Sequence, residues 1–236
     1  MRTKTILLSA AVLAAGIAAS TAQSVYSVNA VGYVNVTVTN GYNLICNPLN
    51  GTNNNINTII PVASDGSTVL RWGNTGQSFV SVDTYFNLGD PAQDGWYNAS
   101  FAKSTNIIAP GEAFFFKRAG AGTGTLTFVG EVPQGNLTNR IGTLYGFYSS
   151  IVPQSAGLST IGFPGRNGMT YTAWSPGGQR YVGLLTYFDL GDPAQNGWYD
   201  ASFNKVDPTP AVGQGFLIFN PAANGVQFWG RTFSVN

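Results

Sequence analysis

The chain has 236 residues, and its 11 basic and 10 acidic residues give a formal net charge of +1 with only 9% charged residues, against about 25% in ordinary soluble proteins. This composition argues against the basic patches that bind nucleic acid and the lysine-rich amphipathic stretches that bind lipid surfaces. Histidine is absent, which removes the commonest general base and metal ligand and favours a non-catalytic protein.

The first 22 residues have the pattern of an export signal. Arg2 and Lys4 form a positive start, Ile6–Ala18 is apolar, and Ser20-Thr21-Ala22 is a small-residue cleavage site. The apolar stretch is too short for a transmembrane helix, so no membrane span is expected in the mature chain. We expect cleavage before Gln23 and a secreted protein, either extracellular or at the cell surface, with the periplasm as the alternative.

Val25–Thr39 alternates apolar and polar residues and is rich in Val and Thr, which predicts a half-buried strand. No counterpart is evident ahead of the second repeat described below. Pairing within the chain, beside Thr123–Val129, would close the first repeat. Pairing with a neighbouring chain would give self-association by strand addition and a head-to-tail fibre. The short connector at Asn40-Gly41 favours pairing within the chain.

An eighteen-residue segment occurs twice, as Thr84–Phe101 and Thr186–Phe203, with fifteen identical positions. The other three positions exchange Asn and Asp. Both residues carry a short side chain with an acceptor oxygen, so the two copies can form the same turns. The exchanges are Asn87/Asp189, Asp94/Asn196 and Asn98/Asp200.

The 102-residue offset between these segments extends to other motifs and predicts two homologous units of ordinary domain size. By residue identity the offset becomes 105 toward the start and 100 toward the end. We divide the chain into a signal peptide (1–22), an N-terminal strand (23–40) and two β repeat domains (41–140 and 141–236). The aligned groups include Trp72/Trp174, Gln77/Gln179, Gly41-Tyr42/Gly146-Phe147 and Phe128–Glu131/Phe228–Arg231.

Each unit consists of short strand patterns separated by turn residues. Thr68–Trp72 with Ser78–Val82, and Thr170–Trp174 with Arg180–Leu185, predict two hairpins. Further strands are predicted at Ala113–Lys117, Thr123–Val129, Gly215–Phe219 and Val226–Trp229, and no window has helical periodicity. The predicted fold is all-β, with two tandem homologous β-sandwich-like domains after a cleaved signal peptide.

Two motifs resemble a recurrent repeat of secreted bacterial surface proteins. The first is the Gly-aromatic-Asn-Leu-Ile opening at Gly41–Ile45, and the second is the Pro-Gly-x-Ala-aromatic turn and strand at Pro110–Phe114. The second unit departs from this pattern, because its opening is Phe147–Ile151 and Val212 replaces the proline. The resemblance covers most of the mature chain and implies an extracellular β domain.

Acidic side chains in the duplicated loops suggest a calcium site as one interpretation, since calcium binds about six to eight oxygen ligands. Asp-Pro, Asp-Gly and Asn-Gly pairs also form turns without an ion, and this second interpretation is favoured because the spacing matches no calcium loop. The residues concerned are Asp90, Asp94, Asp189, Asp192 and Asp200.

Aromatic side chains in the same loops suggest a ligand platform, formed by Trp96 and Tyr97 in one copy and by Trp198 and Tyr199 in the other. Exposed rings would stack on sugar faces, and two copies would give avidity for a polysaccharide. The favoured alternative is that the tryptophans fold back into the core. Taken together, the sequence predicts a secreted non-catalytic structural protein of the cell surface or extracellular matrix. The alternative function is a carbohydrate-binding module.

Overall fold

A computed structural model describes residues 30–235, and these residues form an all-β structure, as the sequence predicts. Helical structure among them is limited to α1, Ile56–Ile59, and a 3-10 turn at Ala222–Asn224. The predicted export signal and residues 25–29 of the predicted first strand lie outside the described residues. The strands are β1 (Val31–Cys46), β2 (Thr68–Gly73), β3 (Ser78–Phe86), β4 (Gly95–Tyr97), β5 (Ala113–Glu131), β6 (Gly135–Ile141), β7 (Leu144–Tyr148), β8 (Thr170–Ser175), β9 (Arg180–Phe188), β10 (Gly197–Tyr199), β11 (Phe216–Asn220) and β12 (Gln227–Phe233).

The first sheet is antiparallel with the order β1-β5-β2-β3-β4. Its two longest strands, β1 and β5, pair from Val31–Glu131 to Cys46–Ala113, with one irregularity between Thr39 and Gly41. The prediction that the leading strand pairs within its own chain, beside residues 123–129, is therefore confirmed for residues 31–39. The two apolar stretches predicted at 113–117 and 123–129 belong to the single strand β5.

The second sheet has the order β10-β9-β8-β11-β7, and β12 and β6 form a separate two-stranded ribbon. This ribbon covers one face of the second sheet, because Ile141 of β6 and Trp229 of β12 share a buried core with Phe216 of β11. In the first sheet, residues 31–39 of β1 and 123–131 of β5 take the place of the ribbon. They bring Val36 and Phe128 to the core of the first sheet, which is separate from the core of the second sheet. The first half of the molecule (β1–β5) and the second half (β6–β12) thus each have two layers around one core.

The two predicted hairpins are confirmed, and their registers correspond. Thr68 pairs with Thr84 in β2 and β3, and Thr170 pairs with Thr186 in β8 and β9. Both hairpins have a register shift near the middle of the first strand, before Trp72 in one and before Ala173 in the other. The two sheets therefore place the duplicated segments in equivalent positions.

The opening strands of the two sheets correspond at an offset of 103 residues, which corrects the offset of 105 found by matching residue types. Leu44 pairs with Phe115, and Phe147 pairs with Leu217 at the equivalent place. Gly41 therefore corresponds to Leu144, and both have a left-handed backbone, with φ of 83° and 65°. Residue matching missed this pair because a leucine stands where the first unit has a glycine.

With this correspondence, β6 and β7 together match β1. The prediction that the leading strand has no counterpart before the second repeat is therefore wrong, because β6 is that counterpart. The closing strands also correspond at an offset of 103. Val36 pairs with Leu126 in the first half and Asn139 pairs with Trp229 in the second, so Leu126 corresponds to Trp229 and the offset of 100 is wrong. The predicted boundary between 140 and 141 falls inside β6, which pairs throughout with β12.

The remaining faces of the two five-stranded sheets pack against each other. Leu44 and Phe115 of the first sheet share a buried cluster with Phe147 of the second, and Trp72 and Trp174 pack at its edge. Side chains of a strand alternate between its two faces, so Phe115 faces this cluster while its neighbours face the first core. Burial on both faces explains the uninterrupted apolar run at the start of β5.

Polar contacts between the two halves are reciprocal. Trp72 Nε1 donates to the carbonyl of Tyr145 at 3.0 Å, and Trp174 Nε1 donates to the carbonyl of Tyr42 at 2.8 Å. The backbone N–H groups of Tyr42 and Tyr145 donate to the side-chain amides of glutamines in the opposite half. Such a pattern is that of a two-fold symmetric interface within one chain. The remaining reciprocal bonds are Cys46 N to Gly213 O, Ser149 N to Gly111 O, Tyr42 N to Gln179 Oε1 and Tyr145 N to Gln77 Oε1.

Candidate functional site

The duplicated loops are held by side-chain oxygens that accept hydrogen bonds from backbone N–H groups. At each of the three Asn/Asp exchanges, Oδ1 is the acceptor in both copies. An exchange between the two residue types keeps this oxygen, so the turns survive it. The bonds are Gly89 N to Asn87 and Gly191 N to Asp189, Leu88 N to Asp94 and Leu190 N to Asn196, Ser100 N and Ala102 N to Asn98, and Ser202 N and Asn204 N to Asp200.

The residues considered as calcium ligands serve these turns. Oδ1 of Asp90 and of Asp192 accepts from the N–H two residues later, at 3.0 and 2.9 Å, and Asp94, Asp189 and Asp200 accept backbone N–H groups in the same way. Among residues 30–235, no three His, Cys, Asp or Glu side chains come together as a possible metal centre. Each of these carboxylates thus serves a turn of its own loop.

Asp200 shows the electrostatic consequence of this bonding. The side-chain amide of Asn204, followed by the backbone N–H groups of Asn204 and Ser202, holds the pKa of the Asp200 carboxyl below its ordinary value. Since hydrogen bonds to the charged form stabilise it, this turn is strongest above the ordinary pKa and weakens as pH falls through the lowered one. The equivalent Asn98 does not titrate.

Trp96 and Trp198 do not form the ligand platform that the sequence allowed. Their exposed fractions are 0% and 1%, and each belongs to the core of its own half. Trp96 Nε1 donates to the carbonyl of Ile60 at 2.7 Å, which satisfies the buried indole. Tyr85 packs on Trp96 and Tyr187 packs on Trp198. Because both indoles are buried, neither is available for stacking on a sugar.

Tyr97 and Tyr199 lie under an exposed ring that the sequence analysis missed. Phe101 stacks on Tyr97 with ring centroids 4.9 Å apart and planes 18° apart. Phe203 stacks on Tyr199 at 4.6 Å and 24°. The phenylalanines are 58% and 57% exposed, whereas Tyr199 is buried. The sequence signal for this arrangement is the spacing of four residues between Tyr and Phe across an Asn/Asp turn.

Both phenylalanines have a left-handed backbone, with φ of 56° at Phe101 and 60° at Phe203. The left-handed region costs an ordinary residue roughly 1–2 kcal/mol, and glycine or asparagine usually occupies it. The N–H of each phenylalanine donates to the carbonyl three residues earlier, on Asn98 or Asp200, so the turn itself sets this conformation. In both copies a strained residue therefore presents an aromatic ring to solvent.

The first half also has a polar network inside its sheet. Arg71 Nε lies 2.7 Å from Glu112 Oε1, and Asn106 Nδ2 donates to Asp83 Oδ2 at 2.7 Å. Asp83 is fully buried, and its Oδ1 has no hydrogen-bond partner, like the Oγ of Ser81. The corresponding residues of the second half are Ala173, Gln214, Pro208, Leu185 and Gly183. The network therefore belongs to one half only.

Cys46 lies at the interface between the halves and is 1% exposed. Burial raises the pKa of its thiol to about 11. A neutral buried thiol is a poor nucleophile, so this cysteine acts as a small apolar residue in the packing.

Comparisons with protein-family models, with curated proteins and with solved structures find no match for this chain. Within residues 30–235, none of the helical segments has the length and apolarity that a membrane crossing requires.

Proposed function

We propose that this chain is a secreted, non-catalytic structural protein of the cell surface or extracellular matrix, built from two tandem homologous β domains. The matching registers of the two sheets support the tandem organisation. The loop carboxylates support a structural role, because they hold turns rather than converge on a reacting group. The repeat resemblance implies the extracellular setting.

Self-association is supported by the free edge of β1, which is the side of this strand that does not pair with β5. Its residues 31–39 pair with β5 on one side, and no strand within residues 30–235 pairs with the other side. This edge is about 30 Å long at roughly 3.3 Å per residue, and it contains no charge and no proline. Soluble proteins usually protect such edges with charges, prolines or bulges, so an unprotected edge favours strand addition.

A second open edge makes the assembly extendable. Within the described residues β12 pairs only with β6, and the one charged group of β12, the guanidinium of Arg231, is bonded to Ser150 and Gln154. Two different edges on one molecule give a head-to-tail contact, which forms open filaments when it does not close. The low net charge of the chain opposes this association only weakly.

The test is the mass of the mature protein in light scattering, with negative-stain imaging of its form. We expect filaments or large oligomers for the wild type. Tyr33→Lys with Thr37→Lys places two charges on the solvent face of the edge strand, where Tyr33 is 73% exposed, and should give folded monomers.

Val62→Lys with Val206→Lys is the matched control, since it adds the same charge at exposed loop positions. This variant should assemble like the wild type. A monomeric wild type, or filaments that persist in the Tyr33/Thr37 variant, would contradict assembly through β1.

A further inference from the structure

Phe101 and Phe203 are exposed aromatic residues that each pack against two other rings. One ring face is covered by the stacked Tyr97 or Tyr199, and Phe86 or Phe188 contacts the ring at centroid distances of 5.3 or 5.4 Å in an inclined geometry. More than half of each phenylalanine is nevertheless exposed. Because the tyrosine covers one ring face, we take the exposed area to lie on the other side of the ring.

The three-ring arrangement is held by hydrogen bonds on both sides. The stacked tyrosine hydroxyl donates to the carbonyl of Gln93 in one loop and of Gln195 in the other, which fixes the ring below the phenylalanine. The Asx turn then fixes the backbone that carries the exposed ring. A preorganised surface binds a ligand without a further ordering cost.

The strained backbone position does not itself select an aromatic residue. Glycine would adopt the same turn without strain, and the core beneath is closed by Trp96 or Trp198. Stacking of the phenylalanine on the tyrosine contributes only about 0.5–1.5 kcal/mol to stability. A strained and exposed residue is a reason to look for a function, and here the same residue type stands at both sites.

We propose that Phe101 and Phe203 are two equivalent stacking surfaces for pyranose rings of a neutral polysaccharide. The apolar C–H face of a pyranose packs on an aromatic ring while its hydroxyl groups remain at the wet rim, as in mixed apolar and polar binding sites. This binding activity lies beyond the structural role proposed above and does not depend on strand addition.

The charge of the loops favours a neutral polysaccharide over the other ligands that bind exposed aromatic side chains. Each loop has more acidic than basic residues, which disfavours nucleic acid and anionic lipid surfaces. A protein partner would need a continuous interface of about 1,000 Å² or more, whereas each site offers a single ring. The charged residues are Asp90, Asp94 and Lys103 in one loop, and Asp189, Asp192, Asp200 and Lys205 in the other.

The experiment is affinity electrophoresis of the full mature protein in gels that contain hydroxyethylcellulose or galactomannan. Every protein in this test carries Tyr33→Lys and Thr37→Lys, so that assembly does not keep it out of the gel, and wild type here means unaltered loops in that background. We expect at least one of these neutral polymers to retard the wild type. Phe101→Gly with Phe203→Gly should weaken retardation at least about tenfold, because both contacts and their avidity are lost. Glycine suits the left-handed backbone, so this variant keeps its loops, and a thermal melt checks that it is folded.

Phe101→Tyr with Phe203→Tyr keeps both rings and should bind within about twofold of the wild type, since a hydroxyl at the ring edge leaves the stacking face unchanged. Phe228→Ala removes an equally exposed ring from β12 and should bind like the wild type. Unchanged retardation of the folded double glycine variant would overturn the proposal, as would absence of retardation in both polymers. Binding to dextran sulfate or to phosphatidylglycerol vesicles in place of the neutral polymers would also overturn it.

Discussion

Leu144 has a backbone conformation that side chains rarely adopt, with φ of 65° at the position where the first half has Gly41. Its side chain is 42% exposed, so it contributes little to the core. We expect Leu144→Gly to raise the free energy of unfolding by roughly 0.5–1 kcal/mol, because relief of left-handed strain exceeds the extra entropy of an unfolded glycine. Urea unfolding measures this change.

Leu190→Gly is the matched control for this substitution. Leu190 is also 42% exposed, but its φ is not positive, so glycine should be neutral or destabilising there. The reverse change, Gly41→Ala, should destabilise because alanine is strained at a φ of 83° and its Cβ would displace the Gln179 amide from its hydrogen bonds to Tyr42. Equal effects of the two leucine substitutions would contradict the assignment of strain to Leu144.

The role of individual aromatic residues was the hardest part of the site to predict from the sequence. Trp96 is duplicated as Trp198 whether it lines a core or a ligand surface, so repetition could not separate the two interpretations. The structure decides for the core, because both indoles are buried. Phe101 and Phe203 were missed because a left-handed φ at phenylalanine follows from the three-dimensional turn and has no signature in residue composition.

At the level of strands, β3 and β9 differ at one buried position. Asp83 of β3 is fully buried with one oxygen unpaired, whereas Leu185 of β9 occupies the corresponding place. We expect Asp83→Leu to be neutral or to stabilise by about 1–3 kcal/mol, since an apolar side chain replaces an incompletely paired buried carboxylate. Part of the gain is offset because Asn106 loses its acceptor.

The reciprocal substitution provides the comparison. Leu185→Asp should destabilise by at least about 3 kcal/mol, because nothing equivalent to Asn106 is present to donate to the new carboxylate. Chemical denaturation of both variants at neutral pH gives the two values. A loss of stability of similar size for Asp83→Leu would show that the polar network of the first half is itself stabilising.

Strands were predicted where the sequence carries a local signal. The hairpin of β2 and β3 follows from two apolar runs around a turn, and the alternation in 31–39 identifies β1 together with its solvent-exposed face. The match between β6 and residues 31–39 of β1 was missed. The burial alternation is kept there, but the apolar pattern is broken because buried Asn139 stands in place of Val36, and Gly41 is replaced by Leu144. Two residues are structurally equivalent when they have the same place in the hydrogen-bond register. Matching residue types finds this register only where the loops of the two halves have kept the same length.

For the molecule as a whole, the two halves are joined by apolar packing and by reciprocal hydrogen bonds. The shared cluster buries Phe115 of one half and Phe147 of the other, with ring centroids 5.2 Å apart. An apolar interface couples the stability of two units, whereas small polar interfaces allow them to move separately. We therefore expect the wild-type protein to unfold in a single calorimetric transition.

Phe115→Ala tests this coupling. The ring of Phe115 lies 4.9 Å from Trp174 across the interface, and a buried Phe→Ala change costs about 3–5 kcal/mol. Because this loss falls on the contact between the halves, we expect the single transition to separate into two. Differential scanning calorimetry measures this directly, as a van't Hoff enthalpy that becomes smaller than the calorimetric enthalpy.

Phe116→Ala is the control, because the next residue of the same strand faces the first core, with its ring 6.2 Å from Trp96. This change should destabilise the protein by an amount similar to Phe115→Ala but leave one transition. The interface is intact in this variant, so the two halves still unfold together, at a lower melting temperature. Two transitions in the wild type would contradict the coupling. So would a Phe115→Ala variant that melts in one step at the temperature of Phe116→Ala, because the interface would then add stability without linking the halves.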